Sequence, residues 1–103
     1  ALLGVADGMR LARAAGLPAE RLQQALAGGT GFSTIFENYL PRMLSGDGAV
    51  TFTLGLLAKD LRLARAEAQA CGLSAPLLDA AVAAVDAARQ RHGDAAGVQV
   101  LAQ

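Results

Sequence analysis

At 103 residues the chain has room for one domain with a conventional hydrophobic core, so no metal or disulfide staple is required. Nine basic and nine acidic residues cancel, and no stretch concentrates Lys or Arg, which excludes the electrostatic footprint of a nucleic-acid or anionic-membrane binder. Charges interrupt every apolar run well before the roughly 20 residues of a membrane span, and no targeting signal marks the N-terminus, so the chain reads as soluble, untargeted and cytoplasmic.

Hydrophobic residues make up 53% of the chain but aromatics only 4%, and alanine dominates, a composition of closely packed helices. β-Branched residues never alternate over a strand length. The expected fold class is all-α, a compact domain over 1–103 of five helices with a sixth beginning at the end.

In chain order, the first helical pattern starts at residue 1, where Ala1 to Val5 is apolar on every side and no capping residue precedes it, as in a helix cut through its middle. Gly16, Gly28 to Gly31, Gly46 to Gly48, Gly72 and Gly93 fall where C-terminal caps belong. The second helix begins near Pro18 and runs to about Ala27, with Leu22 and Leu26 as its inner face. The third spans roughly Ser33 to Leu44, capped by Thr30 or Ser33, and Pro41 predicts a break or kink around Tyr39 and Leu40.

The fourth helix, about Leu54 to Ala70, is the most regular. Leu54, Leu57, Leu61, Ala64, Ala68 and Cys71 recur three and four apart and mark a core stripe. The fifth follows Ser74 as N-cap with Pro76 in its first turn, and buries Leu78, Val82 and Val85. Asp94 is a candidate cap for a short final helix.

On the fourth helix, about 100° per residue sets Lys59 nearly opposite the core stripe, on one side with Leu56 and Leu63. Two leucines on an outer face imply that something outside this fold packs there, another domain or another subunit. The chain carries eight arginines and this one lysine, which suggests that position 59 needs lysine in particular. A snorkelling surface lysine that covers its apolar neighbours explains the pattern equally well on these grounds.

The remaining candidates have plainer explanations. Cys71 is expected to pack as a small buried hydrophobe. His92, beside Arg91 near a helix end and without metal-ligand spacing, reads as a solvated residue favoured by the helix dipole. The Gly28-Gly29-Thr30-Gly31 run lacks the preceding strand and following Gly-Lys-Ser/Thr of a phosphate loop and reads as a turn. Glu37, Asn38 and Tyr39 could support a site by hydrogen bonding or form an ordinary exposed face, and Asp60 could orient Lys59 or serve only the helix dipole.

Gly16-Leu17, Gly29-Thr30-Gly31-Phe32-Ser33, Glu37-Asn38-Tyr39 with Pro41-Arg42-Met43, Phe52, and above all Leu57-Ala58-Lys59-Asp60-Leu61 with Leu63-Ala64 carry a resemblance over nearly the whole chain. The sequence resembles the C-terminal domain of the β-hydroxyacid dehydrogenases, the family of 3-hydroxyisobutyrate dehydrogenase, tartronate semialdehyde reductase and glyoxylate/succinic semialdehyde reductase. The resemblance implies a domain of the 6-phosphogluconate dehydrogenase C-terminal-like kind. It implies that Lys59 contacts a bound nicotinamide cofactor, NAD or NADP, in a cleft between domains, and that Phe52 lines the same cleft.

It also implies an N-terminal Rossmann domain that holds most of the cofactor, a small β-hydroxyacid substrate or its semialdehyde, and assembly as a homo-oligomer, a dimer at least. The family's catalytic lysine falls upstream of Ala1, so no catalytic residue and no metal site is expected in this chain, and the chain alone is expected to be inactive. Thr51, where relatives often have glycine, and Thr34, near where many carry tryptophan, depart from the commoner pattern and leave the substrate undetermined. The alternative is a stand-alone helical interaction or dimerisation module without cofactor. A helix-turn-helix DNA binder fails on charge and on the lack of a basic recognition helix.

Overall fold

The computed structural model describes residues 2–27, 34–45 and 52–103. Among these, five α-helices follow one another: α1 (Leu2–Ala14), α2 (Ala19–Ala27), α3 (Thr34–Ser45), α4 (Leu54–Ala70) and α5 (Pro76–His92). A 3-10 turn, η1 (Val98–Ala102), closes the chain. The fold is all-α, as the composition implies, and the described residues show only an isolated antiparallel bridge between Thr53 and Gly97. None of the described helices is long and apolar enough to cross a membrane. The chain divides into two compact units, Ala1–Gly48 with Leu101–Gln103, and Ala49–Val100.

In the first unit α1 packs against α2 and α3. Ala6, Met9 and Ala12, three apart, are its buried residues, and two of the three are alanines that allow close approach of a neighbouring helix. Gly16 ends α1 with φ 76°: its N–H donates to the Arg13 carbonyl at 3.2 Å and the Leu17 N–H to the Ala12 carbonyl at 2.9 Å. This is the Schellman arrangement expected of a glycine at that place. The carbonyl of Pro18 then accepts from Arg21 and Leu22 and starts α2. Leu22 is half-buried, but Leu26, expected on the inner face, stands 38% exposed, because burial on α2 falls at Leu22 and Gln23 in its first turns.

α3 runs unbroken through Pro41, so of the break or kink expected around Tyr39 and Leu40 the break does not occur. The donor that Pro41 lacks would have served the carbonyl of Glu37, and both residues lie on the exposed side, where water can take that carbonyl. Leu40 and Met43 on the opposite side are buried. The expected caps at Thr30 and Ser33 and the glycine runs 28–31 and 46–48 lie outside the described residues. Arg13 ties the chain's last residues to α1 through a 3.0 Å bond from Nη1 to the Ala102 carbonyl.

The second unit is a helical hairpin of α4 and α5. The buried side of α4 carries Leu54 and Ala58, with Leu57, Leu61, Arg65 and Ala68 half-buried. That stripe is turned slightly from the expected one, and Ala64 is exposed. Cys71, expected in the core, is exposed as well: it lies beyond the last turn of α4 as its C-cap, with Sγ 3.8 Å from the Glu67 carboxylate. Gly72 (φ 68°) closes the helix with the same paired bonds as Gly16, to Gln69 and, through Leu73, to Ala68.

α5 begins at Pro76 with Ala75, not Ser74, as N-cap and without a side-chain cap bond. The ring of Pro76 forces the residue before it out of helical backbone, so the boundary falls at Ala75. Val82 and Val85 are buried as expected, joined by Ala88, while Leu78 is half-buried. His92 is exposed in the last turn of α5 with Arg89 and Arg91, where positive charge meets the helix dipole.

At Gly72 an added Cβ would meet nothing within 4 Å, so only the left-handed backbone opposes substitution. Gly72→Ala should therefore lower unfolding stability by about 1 kcal/mol, read as a lower thermal midpoint. A midpoint equal to or above wild type would contradict the left-handed turn.

Candidate functional site

A helix N-terminus offers backbone N–H groups that its own ladder cannot satisfy. At α4 they are taken by two neighbours. Thr53, extended at φ −92° and ψ 156°, accepts the Leu56 N–H on its hydroxyl at 3.1 Å. The segment after α5 supplies the rest: Leu54 donates to the Ala96 carbonyl at 2.9 Å and Gly55 to the Asp94 carbonyl at 3.0 Å. The strand-like bridge of Thr53 with Gly97 and a 3.0 Å bond from the Val98 N–H to the Phe52 carbonyl continue the seam. A ligand phosphate therefore finds no free donors at this N-terminus without displacing residues 94–98.

The approach is close at Gly55, where a Cβ would lie a tight 3.2 Å from the Asp94 Cβ and 3.3 Å from its carbonyl oxygen. The side chain of Asp94 is held in turn. Arg89 donates from Nε to Oδ1 at 2.7 Å and from Nη2 to Oδ2 at 3.0 Å, a two-pronged fork, and its Nη1 reaches Asp86 at 3.0 Å. Asp86 is shared with Arg62 of α4, whose Nη2 lies 3.0 and 2.8 Å from its two oxygens. These side chains and Gln90 line an open cleft of about 340 Å³. Asp94 was expected to cap the final helix; that turn starts only at Val98, and its carboxylate is committed to Arg89.

Phe52 is half-buried directly before this seam, and Lys59 is 63% exposed, its nearest described charge being Asp60 at 3.9 Å. Leu56 at 47% and Leu63 at 64% exposure flank it, so the outer face deduced from the helical period is present as a lysine between two solvent-facing leucines. Glu37 and Asn38 are exposed on α3, in the first unit. No group of three or more His, Cys, Asp or Glu among the described residues could hold a metal ion.

Two features of the site escaped the sequence reading. Thr53 carries the ordinary N-cap signal, a threonine directly before an apolar helical run. The Arg62, Asp86, Arg89 and Asp94 network joins residues up to 24 apart in sequence, and only the Asp86 to Arg89 step lies at helical spacing.

The model of the family described as NAD-binding of NADP-dependent 3-hydroxyisobutyrate dehydrogenase matches residues 1–103, the whole chain. The chain belongs to this family. Its structure is similar to that of a 3-hydroxyisobutyrate dehydrogenase from Salmonella typhimurium, with a TM-score of 0.93 at 24% identity over 98% of this chain and 35% of that one. It is also similar to Psf3, solved in complex with NADP+ and 2-OPP, with a TM-score of 0.83 at 26% identity and the same coverage. This chain thus spans about a third of the length of those proteins. No curated protein matches the sequence. The five-helix order described above is accordingly the fold of the 3-hydroxyisobutyrate dehydrogenase NAD-binding domain, and the resemblance carried by Leu57 to Leu61 named the right family.

Within this dehydrogenase-family domain the fork on Asp94 has a measurable acid signature. Hydrogen bonding from Arg89 holds the Asp94 carboxyl below its ordinary value near 3.8, and the same bond raises Arg89 further above its usual range. A carboxyl lowered in the folded state adds stability above its unfolded value and loses it as pH falls through the folded one. The midpoint of Asp94→Asn should lie below wild type by a constant amount at neutral pH, and the gap should close below about pH 4. A gap that does not narrow as pH falls below about 4 would assign the loss to something other than the charged fork.

Proposed function

We propose that this chain is the helical C-terminal domain of an NAD(P)-dependent oxidoreductase that acts on a small β-hydroxyacid or its semialdehyde. In this reading an N-terminal Rossmann domain precedes it and binds most of the cofactor. The observation that carries the reading is the exposed Lys59 between Leu56 and Leu63 in a chain whose whole length matches the family. The NADP+ bound by Psf3 supports the same cofactor class. The enzyme is taken as cytoplasmic and homo-oligomeric.

The residues fit a nicotinamide nucleotide in kind. Lys59 has three ammonium donors, a long contact to Asp60 that leaves it able to turn, and apolar neighbours to cover a closed cleft. It would donate to ribose hydroxyl or phosphate oxygens and fix the nucleotide's position. Phe52, seven residues earlier, just before α4, and half-buried, would wall the cleft and keep water out. The bound cofactor supplies hydride transfer, and the general acid or base for the substrate oxygen would come from a lysine outside this chain. Exposed Leu73 and Leu77, at 65% and 86%, favour as a second reading a helical interaction module that needs no cofactor.

The test is a dehydrogenase assay of the full-length protein with small β-hydroxyacids and both cofactors. Lys59→Ala should raise the cofactor KM roughly tenfold and lower turnover while the thermal midpoint stays within a degree or so of wild type. Wild-type kinetics in the variant would remove Lys59 from the site, and no turnover with any substrate would favour the interaction module.

A further inference from the structure

Gly55, Lys59 and Arg62 lie four and three residues apart and so share one side of α4. The outer two of the three are the points at which α5 and the segment behind it grip the helix. Gly55 is held by the Asp94 carbonyl, and Arg62 by Asp86. Arg89 joins the two grips, since it holds Asp94 by its fork and Asp86 by Nη1. The chain of contacts from Arg62 through Asp86, Arg89 and Asp94 to Gly55 therefore closes on α4 with Lys59 between its ends, one turn from each.

We propose that Arg89 and Asp94 are positioning residues for the cofactor, acting through Phe52 and Lys59. The inference rests on the reading of those two residues as cofactor-facing. Residues 93–97 form no helix, and their seam with Thr53, Leu54 and Gly55, continued by Val98 to Phe52, is otherwise backbone bonding that is buried at Gly97 and Val98 but exposed at Asp94, where water competes. The fork on Asp94 adds the side-chain restraint that sets where its carbonyl meets Gly55. A planar guanidinium can do this because two parallel bonds fix direction as well as distance, which a point charge does not. With the fork lost, the loop keeps its backbone bonds but gains freedom to tilt, and the Phe52 carbonyl and the first turn of α4 move with it.

A surface ion pair is ordinarily a weak contributor to stability, so the expected signature is mainly in the ligand, beside the modest midpoint loss that Asp94→Asn should show at neutral pH. In the full-length enzyme, NADH and NADPH dissociation constants would be measured by nucleotide fluorescence for wild type, Lys59→Ala, Asp94→Asn, Arg89→Lys and the Lys59→Ala/Asp94→Asn double variant, each with its thermal midpoint. Asp94→Asn should weaken the nucleotide by about threefold or more, Arg89→Lys should do likewise although it keeps the charge, and the double variant should bind more tightly than the product of the two single effects, because only the part of the Asp94 effect that passes through Phe52 remains once Lys59 is gone. Should one of the two single variants not fold, the other carries the test. Effects that multiply in the double variant, or an Arg89→Lys protein that binds as wild type, would overturn the positioning role. If Lys59→Ala alone leaves nucleotide binding unchanged, the cofactor-facing reading fails first and the positioning role with it.

Discussion

The backbone donors at the start of α4 have to be satisfied, and the arrangement of the second unit follows from where they go. Thr53 supplies one acceptor from its own side chain, but Leu54 and Gly55 depend on carbonyls that arrive after α5 has run the length of the hairpin and returned. That return requires α4 and α5 to be matched, and both have 17 residues, so the chain leaving α5 reaches the level of the first turn of α4. It also favours glycine at 55, since a Cβ there would press on Asp94 and make it give by a few tenths of an ångström. A short helix cap thus couples the hairpin length, the Gly93 turn and the residues that precede α4.

The ion-pair network belongs to the same constraint. Arg89 is the member that is least exposed, at 25%, and the one with two carboxylate partners. Asp86 and Asp94 each alone would be an unremarkable surface acid. Held by one guanidinium they link α5 to the loop, and Arg62 extends the link across to α4. Exposed single pairs contribute little, but a bidentate pair inside a network with one shared cation is the geometry in which they contribute most.

The helices were legible in the sequence because their periods and glycines are strong local signals. α4 was placed from Leu54 to Ala70 as observed, and Gly16, Gly72 and Gly93 do end helices with positive φ. The errors arose where a local rule met a solvent boundary. Pro41 costs a bond only if its partner carbonyl is buried, and Glu37 is not. Cys71 continues the three-and-four spacing on paper, but α4 has ended before it. Ser74 has the chemistry of a cap, yet Pro76 sets the boundary at Ala75. At the site, the Leu56, Lys59 and Leu63 face could be deduced because it is a property of one helix. The Arg89 to Asp94 fork could not, because it depends on how the chain turns at Gly93.

The contrast between the arginines of this unit and its lysine bears on the proposed role of position 59. Arg62 and Arg89 are each spent on carboxylates whose oxygens lie in one plane, the task for which a guanidinium is shaped. Lys59 lies one turn before Arg62 on the same side of α4, yet its one described charged contact is the 3.9 Å approach to the adjacent Asp60. An arginine at 59 would add a second guanidinium to the side of α4 that already carries Arg62, with the same preference for carboxylate forks. A lysine there keeps a compact charge out of that network while the network fixes the helix beneath it. The separation of a bonded arginine frame from one exposed ammonium group is what a site needs if the frame is to hold still when a ligand engages the lysine.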